Sequence, residues 1–249
     1  MQAIMYVAHG SRVAEGVHQV NQFLEKCMDQ INVPIQKISY LELVRPTILE
    51  GISHCVDLGA DCIVVQPILL LSAGHDKRDI PGIIDKARKI FPNVRFIYGQ
   101  PFGVDSCIID ILFERLREQQ TGSERVEDVL VVGRGSSYPE IPQAFAQIRS
   151  MLMKRGIHHV SVCYMAAARP LLKEGLEQAS KHLSGKLYIL PYLLFSGILM
   201  KSMKRIIAAK DNRSSLVLCR SIGYHPLLIR LLKKRIEESM SYDRLPTQS

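Results

Sequence analysis

No stretch of this 249-residue chain approaches the roughly 18 consecutive apolar residues of a membrane span. The longest apolar region, 188–200, is broken by Pro191 and Gly197 and followed by Lys201. The first residues lack the basic region and long apolar core of a secretory leader, so no membrane partner and a cytoplasmic location are expected. The six cysteines (Cys27, Cys55, Cys62, Cys107, Cys163, Cys219) form no Cys-x-x-Cys pair. That argues against a zinc ribbon, an iron–sulfur centre or a disulfide framework, and the cysteines read as reduced, mostly buried apolar residues. Lysine and arginine form no block, and no aromatic-interleaved RNA motif appears. The net charge of +8 fits nucleic acid, an anionic membrane or a polyanionic small molecule, and nucleic acid is the weaker option. With neither G-x-G-x-x-G nor G-x-x-x-x-G-K-[ST] present, nucleotide binding is weakly supported.

What the chain does have is core: 47% hydrophobic residues against 22% charged. Short β-branched runs alternate with longer amphipathic ones. Residues 3–8 read as a strand, and 15–31 as a helix with Val17, Val20, Phe23, Leu24 and Cys27 on one face. A strand over 35–41, a Thr47-capped helix over 48–58 ended by Gly59, and a strand over 61–67 follow. His75 then falls on a glycine-containing loop ahead of Asp79-Ile80-Pro81, a helix start for 81–91. A strand over 95–98 and a helix over 104–119 lead to a polar linker, 119–124. Strands over 128–132, 159–164, 187–191 and 216–219 then alternate with helices over 142–155, 171–183, 201–209 and 226–239. Such alternation predicts an α/β protein with parallel sheets and βαβ crossovers.

The second half repeats the first residue by residue. Arg45-Pro46 falls on Arg169-Pro170, Glu50-Gly51 on Glu174-Gly175, Pro67 on Pro191 and Ser72 on Ser196, at a constant offset of 124. Gly103 meets Gly223, and Leu112 with Arg115 meets Leu232 with Arg235, at an offset of 120. The expected organisation is two tandem, doubly wound, flavodoxin-like domains, 1–120 and 121–249, facing a shared cleft.

The duplication is also an internal comparison. His9 faces Arg134, Glu42 faces Ala166, and His75 faces Leu199. The second copy forms without these three groups, so their presence in the first favours function. In a flavodoxin-like order the three strand ends border one crevice. Two imidazoles and a carboxylate suit a borderline divalent ion with coordination positions left open. The plainer reading is a histidine–glutamate hydrogen-bond pair at two strand ends. A non-catalytic metal carrier would use the same ligands, and a non-haem iron oxygenase would place them on a β-barrel-like scaffold. The remaining histidines named by position (His18, His54, His158, His159, His225) read as structural. His9-Gly10 also matches part of a histidine-phosphatase motif, but Ala8 stands where that motif needs arginine.

The pattern His9-Gly10-Ser11-Arg12, then Leu41-Glu42-Leu43-Val44-Arg45-Pro46, then Pro67 with Leu71-Ser72-Ala73-Gly74-His75-Asp76 and Asp79-Ile80-Pro81 resembles the class II chelatases of the sirohydrochlorin and cobalt-chelatase group. The resemblance spans essentially the whole chain. It implies a lyase that inserts Fe²⁺, or alternatively Co²⁺, into the tetrapyrrole sirohydrochlorin, with the metal as substrate and no permanently bound cofactor. It implies that His9, Glu42 and His75 are the metal and catalytic residues. Absence of a histidine-rich tract tilts the choice to iron. Substrate carboxylates then need cations, with Arg12, Arg45, Lys77, Arg134 and Lys201 as candidates, beside Leu43 and Ser72. For Arg45 and Arg169, repeated next to proline, a structural role at the helix start is an equal alternative. The C-terminal copy is expected to hold substrate, and two halves in one chain are expected to act as a monomer.

Overall fold

The computed structural model describes residues 1–72, 74–120, 126–181, 183, 185–194, 197–210 and 215–242, with His75 and Tyr242 described by their backbone alone. The expected linker residues 121–124, Ala73 and Ser196 lie outside the described residues. The first repeat runs β1 (Gln2–Ala8), α1 (Ala14–Met28), β2 (Ile35–Tyr40), α2 (Ile48–Asp57), β3 (Cys62–Pro67), a π-helical turn (His75–Asp79), α3 (Ile80–Ile90), β4 (Arg95–Tyr98) and α4 (Ser106–Arg117). The second runs β5 (Asp128–Gly133), α5 (Glu140–Lys154), β6 (His159–Tyr164), α6 (Leu172–Ser180), β7 (Leu187–Pro191), α7 (Ile198–Ala208), β8 (Leu216–Leu218) and α8 (Pro226–Tyr242). The strands make two four-stranded parallel sheets, ordered β2-β1-β3-β4 and β6-β5-β7-β8. In each, the order turns back on itself beside the first strand, which is where such sheets bind ligands.

Parallel strands covered on both faces have no solvent side, and their sequences show it. Every residue of β3 and β5 is buried. Met5, Val7, Ile63, Val65, Ile52 and Ile84 form one core, and Leu130, Val132, Ile189, Leu172, Leu176 and Met203 form the other. Two glycines let a helix lie close to its sheet. A Cβ on Gly51 would meet Ser39 Oγ at 1.9 Å, and one on Gly175 would meet Cys163 Cβ at 2.5 Å. Alanine at either place would push α2 or α6 off the strands it covers.

The compact units do not coincide with the 1–120 and 121–249 repeats. One consists of Met1–Gly103 with Pro226–Ser249, and the other of Val104–His225. The last helix of each repeat therefore completes the other unit: α8 packs on α1, β3 and β4, while α4 packs on α5 and β7. Other departures are local. The helix expected from 171 to 183 stops at Ser180, and the one expected from 201 begins at Ile198. His75 does not sit on a loop: it opens a π-helical turn that runs directly into α3. Asp79 is correspondingly helical, at φ −73° and ψ −51°, and makes no side-chain cap.

Candidate metal centre

His9 and Glu42 follow β1 and β2, neighbours in the first sheet, and the ladder continues past the strand ends to hold them level. Leu41 donates to Ala8 O at 2.8 Å, and Glu42 donates to His9 O at 3.1 Å. Gly10, at φ +93°, lies so close to Glu42 that a Cβ there would stand 1.9 Å from its carbonyl oxygen. Leu43 turns the chain at φ +67°, and Val44 donates back to Glu42 O at 2.8 Å. This is a γ-turn of the rare positive-φ kind, and strain of that sort gathers at functional loops. The frame leaves His9 Nδ1 3.5 Å from Glu42 Oε1, with the two side chains 29% and 49% exposed. At that separation any direct hydrogen bond is long, and both side chains reach solvent.

The second copy builds the same frame around different side chains. Met165 donates to Gly133 O, Ala166 donates to Arg134 O at 3.0 Å, and Ala168 donates to Ala166 O at 2.8 Å. Gly135 (φ +88°) and Ala167 (φ +57°) reproduce Gly10 and Leu43. The backbone therefore needs neither imidazole nor carboxylate. The same comparison explains Arg45. Its Nη1 donates to Glu50 Oε1 at 2.6 Å while Glu50 Oε2 accepts from the Thr47 amide at 2.7 Å. Arg169 pairs with Glu174 in the same way. Thr47 Oγ1 completes a capping box on α2. The Thr47 amide, more than Arg45, holds the Glu50 carboxyl below its ordinary pKa.

His75 follows β3, the neighbour of β1 on its other side, and its side chain lies outside the described residues. Among the described residues, no three histidine, cysteine, aspartate or glutamate side chains form a cluster. The turn that carries His75 is anchored by two residues that the sequence reading passed over. Asp76 is 6% exposed. Its carboxylate accepts from Tyr98, the last residue of β4, at 2.6 Å, and from Ser72 Oγ. Burial, and then the bond to Asp76, raise the pKa of Tyr98 and keep it a neutral donor. Sequence offered one signal: the acid adjoins a candidate ligand. The anchoring tyrosine, 22 positions later, carried none.

The other candidates are scattered over the two units. Arg12 and Leu43 are exposed in the loops after β1 and β2, and Lys77 is exposed on the π-helical turn. Arg134 is exposed after β5, and Lys201 is exposed on α7. Ser72 is committed to Asp76. His18 and His54 are exposed on their helices. His159 lies at the amino end of β6, 3.7 Å from Asp128, and His225 Nε2 meets Glu114 Oε2 at 2.7 Å.

A duplicated, doubly wound α/β protein with a histidine–glutamate pair at the carboxyl edge of one sheet is the class that the fold and site define. The family model described as CbiX matches residues 3–119 and 128–239, and the chain belongs to that family. It is 42% identical to a sirohydrochlorin ferrochelatase of Priestia megaterium, over 97% of this chain and 91% of that one. It is 36% identical to a sirohydrochlorin cobaltochelatase of the same organism, over 96% and 80%. The solved structure of SirB from Bacillus subtilis with Fe³⁺ superposes at a TM-score of 0.89, with 36% identity and 98% of both chains covered. No helix among the described residues is long and apolar enough to cross a membrane.

Proposed function

We propose that the chain is a sirohydrochlorin ferrochelatase, a lyase that inserts Fe²⁺ into sirohydrochlorin and releases two protons. The observation that carries this reading is the His9–Glu42 pair, 3.5 Å apart on a frame that the second copy builds without either residue. With His75 they make a ligand set of two imidazoles and a carboxylate, which suits a borderline divalent ion and leaves positions open for pyrrole nitrogens.

Insertion breaks two pyrrole N–H bonds as the metal exchanges its earlier ligands for the four ring nitrogens, so an acceptor for the two protons must stand beside the incoming metal. Glu42, half-exposed against His9, fills that role and can pass protons to solvent. Leu43, 54% exposed on its strained turn, offers the macrocycle an apolar contact. Arg12, Lys77, Arg134 and Lys201 are the proposed partners for its carboxylates. Arg45 serves its own helix start through Glu50, and Ser72 serves Asp76. The protein is proposed to act as a cytoplasmic monomer of 28.1 kDa.

Cobalt is the second reading, supported by the cobaltochelatase relative at 36% identity. The test is an anaerobic absorbance assay with sirohydrochlorin and either Fe²⁺ or Co²⁺. A faster spectral change with Fe²⁺ supports the iron reading, and a faster one with Co²⁺ replaces it. Tight metal binding with no change in the tetrapyrrole spectrum would make the protein a carrier.

A further inference from the structure

The first unit contains a polar anchor that its duplicate lacks. Asp76 immediately follows His75 in the π-helical turn. The Tyr98 hydroxyl donates to Asp76 Oδ1 at 2.6 Å and lies 3.0 Å from the Asp76 backbone carbonyl, while Ser72 Oγ donates to Oδ2. The peptide next to His75 is thereby tied to the end of β4 and to the loop leaving β3. The register of the strands identifies the counterpart positions, since Val65 pairs with Tyr98 as Ile189 pairs with Leu218. At those counterparts the second copy has Met200 and Leu218, which join the apolar core of its own unit. Packing therefore does not demand a buried carboxylate and phenol here. A buried acid is costly unless every oxygen is bonded, and π-helical insertions concentrate at functional sites. The anchor coincides with the one copy that has a histidine to hold.

We propose that Asp76 and Tyr98 are positioning residues for metal capture: together they fix the backbone segment that carries His75. The inference rests on the reading of His75 as a ligand. Mobile turns cost affinity because a ligand must be ordered on binding, and outer-shell supports of metal ligands are typically worth ~10–100-fold in affinity.

The test compares wild type, His75→Ala, Tyr98→Phe and the double variant Asp76→Met/Tyr98→Leu, which installs the pair of the second copy. Each is titrated with Co²⁺ by visible absorption, melted, and assayed for KM toward sirohydrochlorin. Tyr98→Phe and the double variant are expected to bind Co²⁺ about tenfold more weakly, with the tetrapyrrole KM unchanged. The double variant should melt near wild type, because the same apolar pair packs in the second unit. Wild-type Co²⁺ affinity in Tyr98→Phe overturns the proposal. If His75→Ala is nevertheless weakened, only the positioning role falls. If His75→Ala also binds normally, the ligand assignment falls and takes this inference with it.

Discussion

Arg115 donates through Nη2 to the carbonyl of Ile222 at 2.9 Å, although the two residues belong to opposite sequence repeats. Its repeat partner does the same in reverse: Arg235 Nη2 donates to Phe102 O at 2.8 Å. Each guanidinium also grips an acid one turn further on, Glu118 at 2.6 Å and Glu238 at 2.9 Å. The loops they hold turn at Gly223 and Gly103, with φ of +65° and +73°. These bonds tie each exchanged helix to the unit it completes. Arg115→Ala strips a buried charged donor from two carbonyls, Ser221 and Ile222. It should lower stability by about 2–3 kcal/mol, measured by urea unfolding.

Ending the chain at His225 removes α8. Because α8 covers β3 and β4, hydrogen exchange should quicken in those strands while β5 and β7 stay protected. Equal loss in both sheets would mean that the units do not fold as the contacts divide them.

Much of this architecture was legible because it is written in period and repetition. The continuous apolar runs of β1, β3 and β5 announce doubly covered strands, and Thr47 with Glu50 spells its cap. The helix exchange was not legible, since α4 and α8 share their apolar spacing and the Leu112/Leu232 and Arg115/Arg235 positions, so either sheet could receive either helix. Arg115 and Arg235 marked the repeat without revealing that each bonds across it. At the site, the loss of His9 and Glu42 from the second copy exposed the pair. The role of Arg45 waited on the geometry of Glu50. The π-helical turn escaped because it depends on the bonds from Tyr98 and Ser72 to Asp76, and local sequence pattern carries no trace of them.

His9→Ala and Glu42→Ala should fold as wild type does, since Arg134 and Ala166 occupy the same frame in the second unit. Insertion of Fe²⁺ should fall by at least about a hundredfold, the upper end of the range typical of outer-shell changes. Turnover with sirohydrochlorin and a thermal melt check both halves of this expectation. Wild-type turnover by either variant would remove that residue from the site.

Glu118 gives stability an acid limb. The hydrogen bond from Arg220, and then that from Arg115, hold its carboxyl below the ordinary 4.5. A depressed folded pKa stabilises fully above the unfolded value and is lost as pH falls through the folded one. Unfolding free energy should therefore drop as pH is lowered below about 4.5, and Glu118→Gln should flatten that slope. Urea titrations between pH 3 and 6 would detect it.

Arg134, exposed where the first copy has His9, is the proposed cation for a substrate carboxylate. Losing a charged hydrogen bond costs ~1.5–3 kcal/mol, so Arg134→Ala should raise the tetrapyrrole constant roughly ten- to a hundredfold. Metal affinity should stay unchanged. Paired titrations with metal and tetrapyrrole separate the two effects, and an unaltered tetrapyrrole constant would leave the second copy without this role.

Gly10 and Gly135 offer a matched pair, because one backbone geometry serves two different tasks. A Cβ on Gly10 would lie 1.9 Å from Glu42 O at φ +93°, and one on Gly135 would lie 1.8 Å from Ala166 O at φ +88°. Neither neighbour is a flexible side-chain tip, so the following loop must move in both variants. The strain should be alike, ~1–3 kcal/mol, and the two alanine variants should melt at similar temperatures. Their effect on metal should differ. Displacing Glu42 pulls a carboxylate away from His9, whereas displacing Ala166 moves only a methyl group. Gly10→Ala should therefore lose most Co²⁺ affinity while Gly135→Ala keeps it. Equal loss in both would show that metal affinity follows general stability and not the placement of Glu42.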